Sequence, residues 1–144
     1  MSFITRGFTG RRHDEDPRLP PGQTLTDGFP VLSAGPTPDI DTDDWAFTIR
    51  TETGASHNWT WDELMALEIE EVSTDIHCVT HWSKLGTSWR GVSLDTLFAD
   101  VETECEFVMA HSYGGYTTNV PLEDLLDGKS WIAFEADGLS LIHI

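Results

Sequence analysis

A chain of 144 residues, 39% hydrophobic and 10% aromatic, is long enough to bury one core and too short for several, which predicts one folded domain. Its 25 acidic residues against 8 basic ones leave a formal charge of -17, an excess that disfavours nucleic acid as a partner. No apolar run reaches membrane-spanning length, two cysteines in unrelated contexts give no disulfide framework, and the charged residues after Arg11-Arg12 replace the apolar stretch of an export signal, so a cytoplasmic protein without a membrane partner is expected.

Residues 1–23 are polar, basic then acidic, and lack apolar periodicity, which predicts a flexible N-terminal arm. From Thr24 to Asp39 the chain is expected to be extended, because Pro30 and Pro36 remove donors and restrict the residues before them. Trp45, Phe47 and Ile49 alternate with polar residues as in a half-buried strand. The segment from Thr60 to Glu63 has the form of a capping box and starts a short helix. From Glu71 the alternation returns, placing Val72, Thr74, Ile76 and Cys78 on one strand face and Ser73, Asp75, His77 and Val79 on the other. A loop then leads to a short helix over 93–98, with Ser93 as its cap. A strand from Glu104 to Ala110 and a glycine turn precede another helix over 121–126, where Pro121 suits the first position and Gly128 the end. Lys129 to Ala136 reads as a final strand, followed by the turn signal Asp137-Gly138. Strands interleaved with short helices predict a mixed α+β class over residues 24–138.

Cys78 draws the chemical reading. On a regular strand the adjacent His77 and Cys78 point to opposite faces and should not ligate one ion. A zinc or non-haem site on His77, Cys78 and His81 would require a bulge at Cys78, and Cys105 lacks the paired spacing of a further ligand and reads as a core cysteine. A single thiolate on a heavy metal, held mainly by an organic cofactor, fits better, with Trp82 and Trp89 restricting water. The competing expectation is simple packing, since free cysteine is among the most buried residue types.

The run from Asp75 to Leu94 carries a cysteine, a tryptophan four residues on, and a Trp-x-Gly-Val-x-Leu segment opening a short helix: Cys78, Trp82, Trp89, Gly91, Val92 and Leu94. This run resembles the cysteine segment of the sulfite oxidase family, and the resemblance extends from about Phe29 to Asp137. It implies a mixed-sheet molybdopterin-binding domain of the sulfite oxidase type, with short helices, in which the Cys78 thiolate binds the molybdenum carried by molybdopterin. It also implies that Ser112 contacts the pterin, a hydroxyl being both donor and acceptor, and that the backbone at Leu32 and Ser33 passes the cofactor. His77 and His81 flank the ligand; His77 is expected to tune the cofactor or donate to substrate. Lys84 and Arg90 are the basic side chains near the site. The implied activity is two-electron oxygen-atom transfer on a small sulfur-containing or oxyanion substrate, the protein supplying orientation, ligand field and exclusion of water. No haem attachment motif is present, so a separate electron carrier is expected. The alternative is a cofactor-free binding module on the same scaffold.

The sequence departs from the family pattern after Asp137. Members of the family continue there with a Gly-Gly-Pro turn, an apolar strand and basic residues that hold the cofactor, whereas this sequence ends Gly138-Leu-Ser-Leu-Ile-His-Ile144. The expectation is a domain incomplete at its C-terminus, with residues 139–144 a non-native tail of the kind a sequencing adaptor encodes. Only Lys84 and Lys129 are lysines; few lysines with many aspartates and threonines predict a surface adapted to high salt, where screening relieves self-repulsion.

Overall fold

The computed structural model describes residues 16–30 and 35–141. In chain order the strands are β1 (Thr24–Leu25), β2 (Ala46–Arg50), β3 (Ser56–Thr60), β4 (Glu70–His77), β5 (Trp82–Ser93), β6 (Phe107–His111), β7 (Thr117–Pro121), β8 (Trp131–Ala136) and β9 (Leu139–Ser140). Two five-residue helices, α1 (Trp61–Met65) and α2 (Leu94–Phe98), and a 3-10 turn at Leu122–Asp124 accompany them. The described chain is therefore mostly β, with less helix than the α+β expectation. The described residues fall into two compact units, 16–29 with Asp75–Leu85, and 30–74 with 86–141, residues 31–34 lying outside the description.

In the second unit β2 and β3 pair antiparallel from Ala46↔Thr60 to Arg50↔Ser56. Phe47 and Ile49 are half-buried between exposed neighbours, as the alternation predicts. Thr60 ends β3 and caps α1: its hydroxyl accepts from Glu63 N–H at 3.3 Å while its own N–H donates to Glu63 Oε2 at 2.8 Å, both arms of a capping box. So anchored, α1 turns Leu64 inward. Leu64, Val92, Leu94 and Leu97 form the buried core, with Trp45, Phe47, Ile49, Trp59 and Ile132 packed around it. Each such side chain contributes about 1.5–3 kcal/mol when fully withdrawn from water. Ser93 caps α2 by accepting from Asp95 N–H at 3.2 Å.

The segment expected as a loop after Cys78 is the twelve-residue strand β5. Its pairing with β8 hides it from a simple reading, because the ladder slips: Arg90 faces Glu135, but Gly91 faces Ala133. Phe134 is left as the extra residue of a bulge. Its ring meets Trp61 edge-on at 6.2 Å and lies 5.6 Å beneath the Arg90 guanidinium, which also pairs with Glu135 at 3.0 Å. Gly91 permits this crossing, since a Cβ there would lie 2.6 Å from the Ile132 carbonyl oxygen.

The predicted helix over 121–126 is reduced to a single 3-10 turn, because Pro121 closes β7 instead, paired with Phe107. A proline is tolerated at a strand end, where its missing N–H costs no ladder bond. Asp95 then accepts from Asp127 and Gly128 N–H at 2.8 and 2.7 Å, bracing two consecutive residues with φ of 62° and 69°. These bonds, Gly128's foremost, hold the Asp95 carboxyl below its ordinary range. Asp137 and Gly138, at φ 50° and 79°, make the predicted tight turn from β8 into β9.

Candidate functional site

Cys78 sits at the end of β4, in the tight turn that leads into β5. His81 N–H donates to the Cys78 carbonyl at 3.0 Å and Cys78 N–H donates to the Trp82 carbonyl at 2.9 Å. His81 takes a φ of 69° to close the turn, and Val79 stands 89% exposed at its tip. β1 runs parallel to the start of β5, with Thr24 N–H on the His81 carbonyl and Thr26 N–H on that of Ser83, both at 2.9 Å. The thiol itself is free and half-buried. Its sulfur lies 3.1 Å from the Thr80 hydroxyl. That hydroxyl, with the Thr80 N–H behind it, holds the Cys78 pKa below its ordinary value, against a burial that pushes the other way.

Behind the turn a short relay of polar side chains runs through the same unit. Gln23 Nε2 donates to the Cys78 carbonyl at 3.0 Å, the fully buried Ser83 hydroxyl donates to Gln23 Oε1 at 3.2 Å, and His77 Nδ1 lies 2.8 Å from Ser83 Oγ. Residues 16–22, in the segment expected as an arm, form turns that lead into Gln23, with Arg18 bound to Asp16 at 2.9 Å and to Asp75 at 3.6 Å. Phe29 packs edge-on against Trp82 at 6.0 Å, and the Lys84 ammonium lies 4.5 Å over the Phe29 ring.

Ser112 belongs to the other unit, at the end of β6. Its N–H donates to the Tyr116 carbonyl at 2.9 Å and its hydroxyl accepts from Tyr116 N–H at 3.1 Å. It therefore opens the β6–β7 turn and remains exposed, with the hydroxyl proton available to a ligand. Leu32 and Ser33 lie outside the described residues. Cys105 corrects its expectation: it is exposed, ahead of β6, and its thiol lies 3.3 Å from Glu52 Oε2. Among the described residues no three His, Cys, Asp or Glu side chains gather to hold a metal ion, and His77 turns to Ser83 instead of joining Cys78 and His81. The sequence reading missed Gln23, Thr80 and Ser83, which carry no motif. The signal available for Ser83 was its position opposite His77 across a turn centred on 79–81.

Residues 34–143 match the family model described as the oxidoreductase molybdopterin binding domain. The chain belongs to this family. It is also 34% identical, over 131 residues, to the uncharacterized oxidoreductase YuiH of Bacillus subtilis (strain 168). That alignment covers 89% of this chain and 66% of the relative, so the chain spans just under two thirds of the relative's length. Molybdopterin is accordingly the cofactor of this domain type. The chain's residues fit the metal end of that group. A single free thiol stands on a turn in which the Cys78 N–H and carbonyl are both bonded, and a lone thiolate is a suitable donor to a soft metal. The Trp82 indole Nε1 is buried with no partner among the described residues, a donor in the same turn that an acceptor would satisfy.

Proposed function

We propose that this chain catalyses two-electron oxygen-atom transfer on a small sulfur-containing or oxyanion substrate, in the manner of the sulfite oxidase family, with the Cys78 thiolate as a molybdenum ligand. The observation that carries the reading is the fixed Cys78 turn, a free thiol on a backbone with both N–H and C=O bonded, within a molybdopterin-binding family. The cofactor, when bound, supplies the two-electron redox chemistry. The chain's own part is to hold the sulfur at a fixed position, favour its thiolate with the Thr80 hydroxyl, and limit water with Trp82 and Phe29. Ser112, Leu32, Ser33 and His77 are the proposed contacts to the pterin. Electrons leave or enter through a separate carrier, and the protein works in the cytoplasm, at high salt.

One observation favours a second reading, a cofactor-free binding module. Among the described residues Arg18, Lys84, Arg90 and Lys129, all of the basic side chains but Arg50, are engaged within the chain, with Asp16, Phe29, Glu135 and the Glu123 carbonyl respectively, and a phosphate wants such cations or a helix N-terminus.

Metal analysis by mass spectrometry separates the two readings, on this chain and on Cys78→Ser, each expressed in a host that makes molybdopterin. Molybdenum near one per chain that disappears in the variant is the expected result. Its absence from both proteins would sink the oxidoreductase reading, and its retention in Cys78→Ser would remove Cys78 as the ligand. With loaded protein, sulfite oxidation and sulfoxide reduction assayed side by side give the direction of transfer.

A further inference from the structure

The polar relay behind Cys78 fixes more than the turn. A carbonyl oxygen only accepts, so the end of the Gln23 amide facing the Cys78 carbonyl is its NH2 group and the end facing Ser83 is its oxygen. The single Ser83 hydroxyl proton is therefore spent on Gln23 Oε1. What remains on Ser83 Oγ for His77 is a lone pair, so the contact at 2.8 Å is made by a proton on His77 Nδ1. In the neutral ring, Nε2 is then bare.

We propose that Gln23 and Ser83 are positioning residues of the Cys78 site, holding the thiol turn and, through one chain of hydrogen bonds, fixing His77 with its proton on Nδ1 and its Nε2 as an acceptor. This rests on the reading of Cys78 as the metal ligand and deepens it, because it names the kind of group His77 meets. That group is an N–H or O–H donor, such as the amino edge of a pterin or a protonated oxyanion. The geometry has two arms. Gln23 Nε2 adds a second bond to a Cys78 carbonyl already held by His81 N–H, so both acceptor positions of that oxygen are filled. Ser83, fully buried, carries only the second arm, from Gln23 to His77.

The two arms are separable by variants. The metal-free chain is studied at about pH 9, where a histidine ring is neutral, and the ring nitrogens of His77 are read by nitrogen-15 NMR. The wild-type protein is expected to show the Nδ1–H form. Ser83→Ala removes the acceptor and releases the ring to the Nε2–H form. Gln23→Met frees the Ser83 hydroxyl to donate to Nδ1 and produces the same switch. The alkylation rate of Cys78, measured with Cys105→Ser throughout so that the exposed second thiol does not interfere, is expected to change about fivefold in Gln23→Met, the worth of one hydrogen bond. In Ser83→Ala it stays near the wild-type rate. An unchanged far-ultraviolet spectrum shows that each variant keeps its sheets. Finding His77 in the Nε2–H form in the wild type, or no switch in either variant, overturns the relay. An unaltered alkylation rate in Gln23→Met overturns the brace on Cys78. Both readouts are made without metal, so a failed molybdenum analysis counts against the proposed function alone.

Discussion

Gly91→Ala tests whether the slipped ladder between β5 and β8 is set by steric necessity. The position is buried, and an added Cβ would meet three backbone atoms: the Ile132 carbonyl oxygen at 2.6 Å, the Ala133 Cα at 3.0 Å and the Ile132 carbonyl carbon at 3.1 Å. None of these belongs to a side chain that can rotate aside. Relief requires β8 to retreat by roughly half an ångström or more, which stretches the neighbouring ladder bonds and loosens Val92 and Ile132 in the core. Overpacking of this kind costs about 2 kcal/mol, within a usual range of 1–3. For a chain of this size that is a drop of roughly 8 °C in melting temperature. The assay is urea unfolding followed by tryptophan fluorescence, with calorimetry beside it. Gly28→Ala serves as control, since nothing lies within 4 Å of its added Cβ and its φ is not positive, and it should be neutral or slightly stabilising. A Gly91→Ala protein as stable as the wild type would refute the reasoning, by showing that the bulge yields without strain.

Thr60→Ala removes the side-chain arm of the α1 capping box and should cost about 1 kcal/mol in urea unfolding; no loss would mean the helix is held by Leu64 alone. Glu52 is held down to about 2, first by Glu104 N–H, then by the Thr103 hydroxyl. Its carboxyl thus titrates lower in the folded chain than in the unfolded one. The stability it contributes is complete above about pH 4.5 and lost as pH falls through about 2. Glu52→Gln should therefore differ from wild type by a constant amount at neutral pH, with the gap closing on acidification; a gap independent of pH down to 2 would refute the assignment. The charge of -17 predicts a melting temperature that climbs between roughly 0.1 and 2 M potassium chloride as self-repulsion is screened. A flat profile would show that the acidic surface carries no such penalty.

Local rules were legible where they act within a few residues. Thr60 and Glu63, Ser93, and Asp137-Gly138 each signal an end or a turn through their own side chain or φ, and the structure uses them so. The alternation of Phe47 and Ile49 was readable because one face of β2 is buried and the other wet. What failed depends on pairing with distant chain. β5 does not show a clean alternation, since Gly86 and Gly91 carry no side chain to mark a face, and its register is supplied by β8 across the bulge at Phe134. β7 reads locally as the approach to a helix, and only the pairing of Pro121 with Phe107 makes it a strand. Residue type alone places Cys105 in the core, but Thr103 and Glu52 hold it at the surface through bonds invisible in a linear reading. At the candidate site Cys78 stood out by its spacing to the tryptophans. Gln23 is 55 residues away along the chain and was not predicted by any local pattern.

The saturation of the Cys78 carbonyl has a thermodynamic meaning for ligand capture. A thiol on a loose loop must be immobilised when it binds, and the entropy of that ordering is subtracted from the affinity. Here His81, Gln23 and Trp82 have already fixed the backbone on either side of the sulfur. The ordering is done during folding, so on the proposed reading of Cys78 as the metal ligand the thiol is a preformed donor, and slow hydrogen exchange at the Cys78 and His81 amides of the metal-free chain is its signature.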